Sequence, residues 1–385
     1  MKFIKKAFYF YIQLCSLTNQ SHDFDLISIQ DLLPQRPDIE YIKCHEIEPF
    51  EYKPFPISQF PELQPNKGLL AETFILKIPN GQACSWHGWI KVDNYIVHDL
   101  ISHLFSLNYQ LRLLSQTSFT NIKKIKGKVA VITLMADTCF FHWIFNILGR
   151  LALLEIAGIE YDWLYVSYDK PYMKETLTLW GIDPAKIIQP LSKQNHYIQA
   201  DELIVPSHVG IRAVQNNQYR LNWIPFDLYA KKWNISPEKF NTLYLYNSNN
   251  SIYDHTPPSY VSMHDYFFHT VPLCSLYPSE WFITFLQNKF LPLIQNKPYD
   301  FSKKIFISRE KAYTRKIINE DEIFNIFKNL GFKKYILEDM SFLEQIALFN
   351  QADTVVAAHG SSLINLLFCK PNTAIIEIFQ ARSDC

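Results

Sequence analysis

Glycine is scarce in this sequence, 10 in 385 residues, and no Gly-x-Gly-x-x-Gly follows any predicted strand. A redox enzyme built on a dinucleotide loop is therefore disfavoured. Net charge is absent too: Lys+Arg 37 balances Asp+Glu 37, so no global field recruits nucleic acid and no nucleic-acid partner is expected. The seven cysteines (15, 44, 84, 139, 274, 369, 385) contain no Cys-x-x-Cys pair; they read as reduced thiols of a cytoplasmic protein, not as a disulfide frame or zinc site. Asp-x-Asp, a strand-end pattern suited to a divalent cation, occurs only as Asp23-Phe24-Asp25, ahead of any convincing sheet. No metal site is expected. The apolar run Ala7 to Leu17, preceded by Lys2, Lys5 and Lys6, is too short to span a bilayer. Gln13 and Cys15-Ser16 interrupt it and no small-x-small site follows it, unlike a signal peptide. It reads as a short helix on the protein, or peripheral at the inner face of the membrane.

What is present is a large apolar fraction, 48%, with 29 Phe and 22 Tyr, enough for two domains with ample core. Residues 1–125 are irregular, held in extended loops by Pro49, Pro54, Pro56, Pro61 and Pro65. Strands are predicted there at Thr73–Ile78 and Trp89–Val97, the second bent at Asp93-Asn94. From 126 to 275 the pattern alternates: strand Lys128–Leu134, helix Phe140–Ile156, strand Trp163–Ser167, helix Pro171–Trp180 and strand Glu202–Pro206. Such alternation implies a parallel sheet covered on both faces. The stretch 208–270 is aromatic and polar and reads as the link to a third region, 276–385. That region alternates more clearly, with strands Lys304–Ile307, Tyr335–Leu337, Thr354–Ala358 and Ala374–Ile378. Capping-box spacings at Asn319–Glu322 and Ser341–Glu344 open two of its helices. This is βαβαβαβ, a Rossmann-like half, and the fold class is α/β.

Ligands of open parallel sheets bind beyond the carboxyl ends of the strands. Those ends in the last region carry Ser308-Arg309, Glu338, His359-Gly360-Ser361-Ser362 and Glu377. A helix starting at Ser361 or Ser362 aims free N–H groups and a positive dipole end at this edge. That end supplies only about 0.3–2 kcal/mol toward an anion, so Arg309 and Arg315 are needed for charge-assisted contacts to a diphosphate. Glu338 or Glu377 would accept hydrogen bonds from ribose or sugar hydroxyls. On the matching edge of the preceding region, Asp137 and His142 are the titratable candidates for a general base.

Several stretches resemble glycosyltransferase family 61. They are Ile307-Ser308-Arg309 with Ala312 and Arg315, Asn319-Glu320, Leu337–Phe342 with Glu344-Gln345, and Ala358-His359-Gly360-Ser361 with Asn365-Leu366. His142-Trp143 and Arg150-Leu151 are similar to the family's first-lobe motif. The resemblance implies a GT-B fold, two Rossmann-like lobes facing a cleft, and inverting transfer from a nucleoside-diphosphate sugar to a glycan acceptor, with no required metal or other cofactor. It implies capsular or exopolysaccharide assembly as the setting. Arg309, Arg315 and His359-Gly360-Ser361 match the donor side and His142 the acceptor side, with Trp86-His87 or Trp89 as further acceptor contacts. Asn146 stands where many relatives carry Asp, and Gly149 where proline is frequent; these departures keep open a non-catalytic sugar- or nucleotide-binding protein on the same scaffold. A GT-B chain ordinarily closes with a helix crossing back to the first lobe, so the resemblance also implies truncation after Cys385.

Overall fold

The computed structural model describes residues 25–52, 66–84, 87–101, 122–190, 197–210, 212–213, 278–295, 297–312 and 316–378. The apolar run 7–17, Asp23, Trp86, the link after 213 and Arg315 lie outside the described residues. The chain divides into two compact units, residues 1–128 with 191–277, and residues 129–190 with 278–385.

The first unit is built on a mixed sheet. Strands Glu40–His45, Thr73–Pro79, Tyr197–Pro206, Gln82–Cys84, Trp89–Val92 and Tyr95–Val97 pair antiparallel in that order, and Asp25–Ile27 joins the last in parallel. The hairpin expected at Asp93-Asn94 forms: Val92 faces Tyr95, and Asp93 takes φ 51. The strand expected at Glu202–Pro206 forms within Tyr197–Pro206. It runs antiparallel to Thr73–Pro79, pairing Leu203 with Ile78 and Val205 with Leu76, all fully buried. Its apolar residues find long-range partners that local periodicity cannot name. Trp89 is fully buried with the His87 ring stacked on it at 4.1 Å, so its ring belongs to this core.

The second unit contains two sets of parallel strands. In the first, β1 (Ile122–Val131) contributes Val129–Val131, which pair with β2 (Trp163–Tyr165), and β2 pairs with β3 (Ile187–Ile188). Helix α1 covers 140–156 between β1 and β2; α2 (Pro171–Trp180) follows β2. Pro171 opens α2, where its missing N–H costs nothing, and Gly181 ends it at φ 90. After α3 (Glu280–Phe290), the second sheet uses β4 (Lys304–Ile307), β5 (Lys333–Tyr335), β6 (Thr354–Ala358) and β7 (Ala374–Ile378) in the order β5-β4-β6-β7.

The central strands β4 and β6 of this second sheet are covered on both faces, which explains their continuous apolar runs. Ile305, Ile307, Val355 and Ala357 bury one face with Leu348 and Phe349 of α5 (Phe342–Gln351). Phe306 and Val356 bury the other against Phe324 and Phe327 of α4 (Glu320–Asn329). The Ser341–Glu344 capping box forms with both its hydrogen bonds, whereas Asn319 makes no side-chain cap. The two sheets are joined within this unit. Glu175 of α2 accepts the Phe342 and Leu343 N–H groups at 2.8 and 3.4 Å, placing an anion at the start of α5. Lys289 of α3 bonds Glu155 of α1 at 2.7 Å.

Candidate functional site

The order β5-β4-β6-β7 places a topological switch point between β4 and β6, because the chain leaves β4 to one side and returns on the other. Ser308-Arg309 leaves β4 there, and His359-Gly360 leaves β6. These neighbouring strands pair Ile307 with Ala357, so their ends meet. A Cβ built on Gly360 would fall inside the Arg309 guanidinium, 3.1 Å from Cζ. Gly360 has φ 166, an extended backbone open to any residue. A side chain here would displace the arginine, so it is the approach of Arg309 and not the backbone that favours glycine.

The arginine loop has its own support. Glu320, at the first turn of α4 and 8% exposed, accepts the Ser308 hydroxyl and the Arg309 N–H, the latter at 2.9 Å. Ser308 is 2% exposed, so it is turned inward as a brace. Sequence reasoning took Glu320 as the second residue of a capping pattern and as part of the family 61 resemblance, without a role of its own. Its reach back to Ser308, twelve residues away, is tertiary and carries no local signal.

After Gly360 comes a 3₁₀ helix, Ser361–Phe368, where an α-helix was expected from Ser362. Its first N–H groups have no partner within the helix. Buried Asn365 in it donates to Gln345 of α5 at 3.0 Å, and Gln345 donates to the carbonyls of Leu337 and Met340. This bridge fixes the 3₁₀ helix to the turn that follows β5. Ser362 Oγ is buried without a hydrogen-bond partner among the described residues. His359 Nδ1 lies 2.7 Å from Glu377 Oε1 on the exposed edge of β6 and β7. Glu338 is exposed on the turn Leu337–Asp339, not at a strand end, beside the Lys311–Asp339 ion pair.

On the first sheet, Asp137 is 3% exposed and its Oδ2 accepts the Thr133 and Ser167 hydroxyls at 2.8 and 2.6 Å. It thereby ties together the ends of β1 and β2. Burial raises its carboxyl to about 6, against the lowering effect of both hydroxyls. The residue before it, Ala136, has φ 76, a left-handed conformation that costs a non-glycine residue energy and recurs at functional sites. Buried Arg150 donates to the Thr133 carbonyl at 3.0 Å, and burial lowers its guanidinium to about 9.

Half-buried His142 lies in α1 just before a π turn, Trp143–Ile147, where the Leu148 N–H reaches the Trp143 carbonyl. Such turns are rare and favour functional sites. His142 Nδ1 is 3.0 Å from Asn146 Oδ1, and burial holds its pKa below the usual histidine range. The first turn of α1 packs against the 3₁₀ helix, and Cys139 Sγ touches Ser361 Oγ at 3.3 Å. The loop that follows Asp137 therefore meets the 3₁₀ helix that follows Gly360 at Cys139 and Ser361. The seam through Cys139 had no signature in the sequence.

The model of "Glycosyltransferase 61" matches residues 140–376, more than half of the chain. The chain belongs to glycosyltransferase family 61. His142, Arg309 and His359 fall inside the matched residues, and Asp137 and Glu377 lie just outside them. EGF domain-specific O-linked N-acetylglucosamine transferase of Pan troglodytes is 23% identical over 215 residues, 52% of this chain and 40% of that protein. The Mus musculus protein of the same name is 26% identical over 99 residues, 24% of this chain and 19% of its own length. The chain thus spans less than half the length of these family 61 relatives. Among the described residues, no helix is long and apolar enough to cross a membrane.

Proposed function

We propose that this family 61 chain is an inverting glycosyltransferase that moves a sugar from a nucleoside-diphosphate donor to a glycan hydroxyl without a metal, its two parallel sheets acting as GT-B lobes. The observation that carries this reading is the Arg309 guanidinium against Gly360 at the switch point, in contact through Ser361 with the loop of His142. The donor diphosphate lies at Arg309 and the start of the 3₁₀ helix, with Arg315 as a second cation and Glu377 or Glu338 on donor hydroxyls. Charge developing on the departing diphosphate meets fixed donors and a guanidinium, which is electrostatic stabilisation by preorganised groups.

The acceptor hydroxyl attacks the anomeric carbon from the face opposite the diphosphate, and its proton passes to His142. Of the two base candidates, Asp137 already accepts two hydroxyls in a buried position, so it serves as the brace of the loop. His142 is neutral near pH 7 and half-buried, which suits proton removal. N-acetylglucosamine, named in the relatives, is the first donor sugar to try. Polysaccharide assembly at the cytoplasmic face of the membrane is the setting we propose.

Nucleotide release from UDP-, GDP- and TDP-sugars, with and without glycan acceptors, tests the reading. The wild type should turn over one donor class, and His142→Ala should lose about 10²–10⁴-fold in kcat, the range for general bases, with donor binding kept. Binding without turnover in the wild type would favour a non-catalytic sugar- or nucleotide-binding protein instead. Turnover abolished by EDTA and restored by a divalent ion would overturn the metal-free reading.

A further inference from the structure

We infer that Asn146 is the positioning residue for His142: its carboxamide oxygen fixes the imidazole proton on Nδ1, leaving the Nε2 lone pair to take the acceptor's proton. The inference rests on the reading of His142 as the base. Its ground is geometric. Nδ1 of His142 is 3.0 Å from Oδ1 of Asn146, and a carboxamide oxygen only accepts, so the hydrogen sits on Nδ1. In a neutral imidazole the other nitrogen then carries the lone pair.

The surroundings lock this arrangement. Asn146 is fully buried on the π turn between buried Phe145 and Ile147, and Trp143 of the same turn is anchored by its indole N–H to Thr176 at 2.8 Å. Nδ2 of Asn146 is buried with no partner among the described residues. Buried polar groups are nearly always paired, and exceptions call for a local reason such as a catalytic role. The opposite carboxamide orientation would have Nδ2 donate to Nδ1, moving the ring hydrogen to Nε2 and removing the lone pair the reaction needs.

The residue type has a consequence as well. An aspartate here would favour the imidazolium, whereas the neutral carboxamide leaves burial unopposed by charge, so His142 stays unprotonated to lower pH. Near the first turn of α1, Asp137 and Cys139 of the preceding loop and Asp169 after β2 interact with Tyr172. Asp137 is engaged by Thr133 and Ser167, and the Tyr172 hydroxyl donates to the Thr138 carbonyl at 2.6 Å.

The test is a two-bond ¹H–¹⁵N correlation spectrum of the ¹⁵N-histidine-labelled full chain, with His142 assigned from its absence in His142→Gln. The wild type should show the Nδ1–H tautomer. Asn146→Ala should shift His142 toward Nε2–H and lower kcat about 10- to 100-fold at unchanged donor KM. Asn146→Asp, nearly isosteric, should keep Nδ1–H and raise both the His142 titration and the acidic limb of the kcat profile by about 1–3 in pH. An Nε2–H tautomer in the wild type, or a tautomer and titration indifferent to both substitutions, would overturn the inference. Full activity of His142→Ala would instead sink the base assignment while the spectra still decide whether Asn146 orients the ring.

Discussion

Replacing Gly360 by alanine separates the fold from the function at one atom. The new Cβ would press against the Arg309 Nη1 and lie 3.1 Å from its Cζ, so the guanidinium must move. The obstacle is the far end of a long side chain, and Gly360 sits at φ 166, where alanine is unstrained. Stability should therefore hold, or rise by about 0.4–1 kcal/mol because alanine narrows the unfolded ensemble. The donor contact should not hold. A hydrogen bond to a charged group contributes about 1.5–3 kcal/mol, so displacing Arg309 should weaken donor binding roughly 10- to 150-fold. Thermal unfolding and calorimetric titration with UDP on the same preparations read the two effects. Unchanged donor affinity in a folded Gly360→Ala would refute the placement of Arg309 at the diphosphate. Marked destabilisation would refute the claim that the arginine alone excludes a side chain.

Two further substitutions test the supports. Glu320→Gln leaves one acceptor for the two donors of Ser308 and Arg309, and should raise donor KM at least about tenfold with little change in kcat; equal KM would mean that the loop holds itself. Burial raises Asp137 to about 6, so between roughly pH 4 and 6 the folded state keeps a proton that the unfolded chain has lost. Stability therefore falls as pH rises through that window, by roughly 3 kcal/mol for a displacement of about two pH units. Asp137→Asn should flatten this slope in urea unfolding at pH 4.5 and 7 while transfer stays within about tenfold. A hundredfold loss of transfer in a folded Asp137→Asn would move the base from His142 to Asp137.

The elements legible in the sequence are those whose signals are local. Thr354–Ala358 and Ala374–Ile378 are strands over the expected residues, being short β-branched or apolar runs bounded by polar turns. Pro171–Trp180 has the expected ends because proline and glycine punctuate both. Ser341–Glu344 closes its capping box with Ser341 extended at φ −62 and ψ 161, whereas Asn319, with the same spacing but at φ −107 and ψ 42, makes no cap. The antiparallel partners of Tyr197–Pro206 were not legible because sheet partners are chosen over long range.

The site divides the same way. Arg309 and Gly360 were legible as strand-end residues, and their mutual contact followed from the strand order. Glu320 was hidden, since a first-turn acid looks the same whether it faces solvent or braces a distant loop. The π turn at Trp143–Ile147 was hidden too. It changes the hydrogen-bond register within a helical stretch without any signal in composition.

The account's central claim is a diphosphate site at the β4–β6 switch point, and calorimetric titration with UDP and with uridine tests it most directly, repeated on Arg309→Ala. UDP should bind the wild type at least about tenfold more tightly than uridine, and Arg309→Ala should erase most of that difference. Equal affinity for UDP and uridine, or a preference for UDP that survives Arg309→Ala, would contradict it.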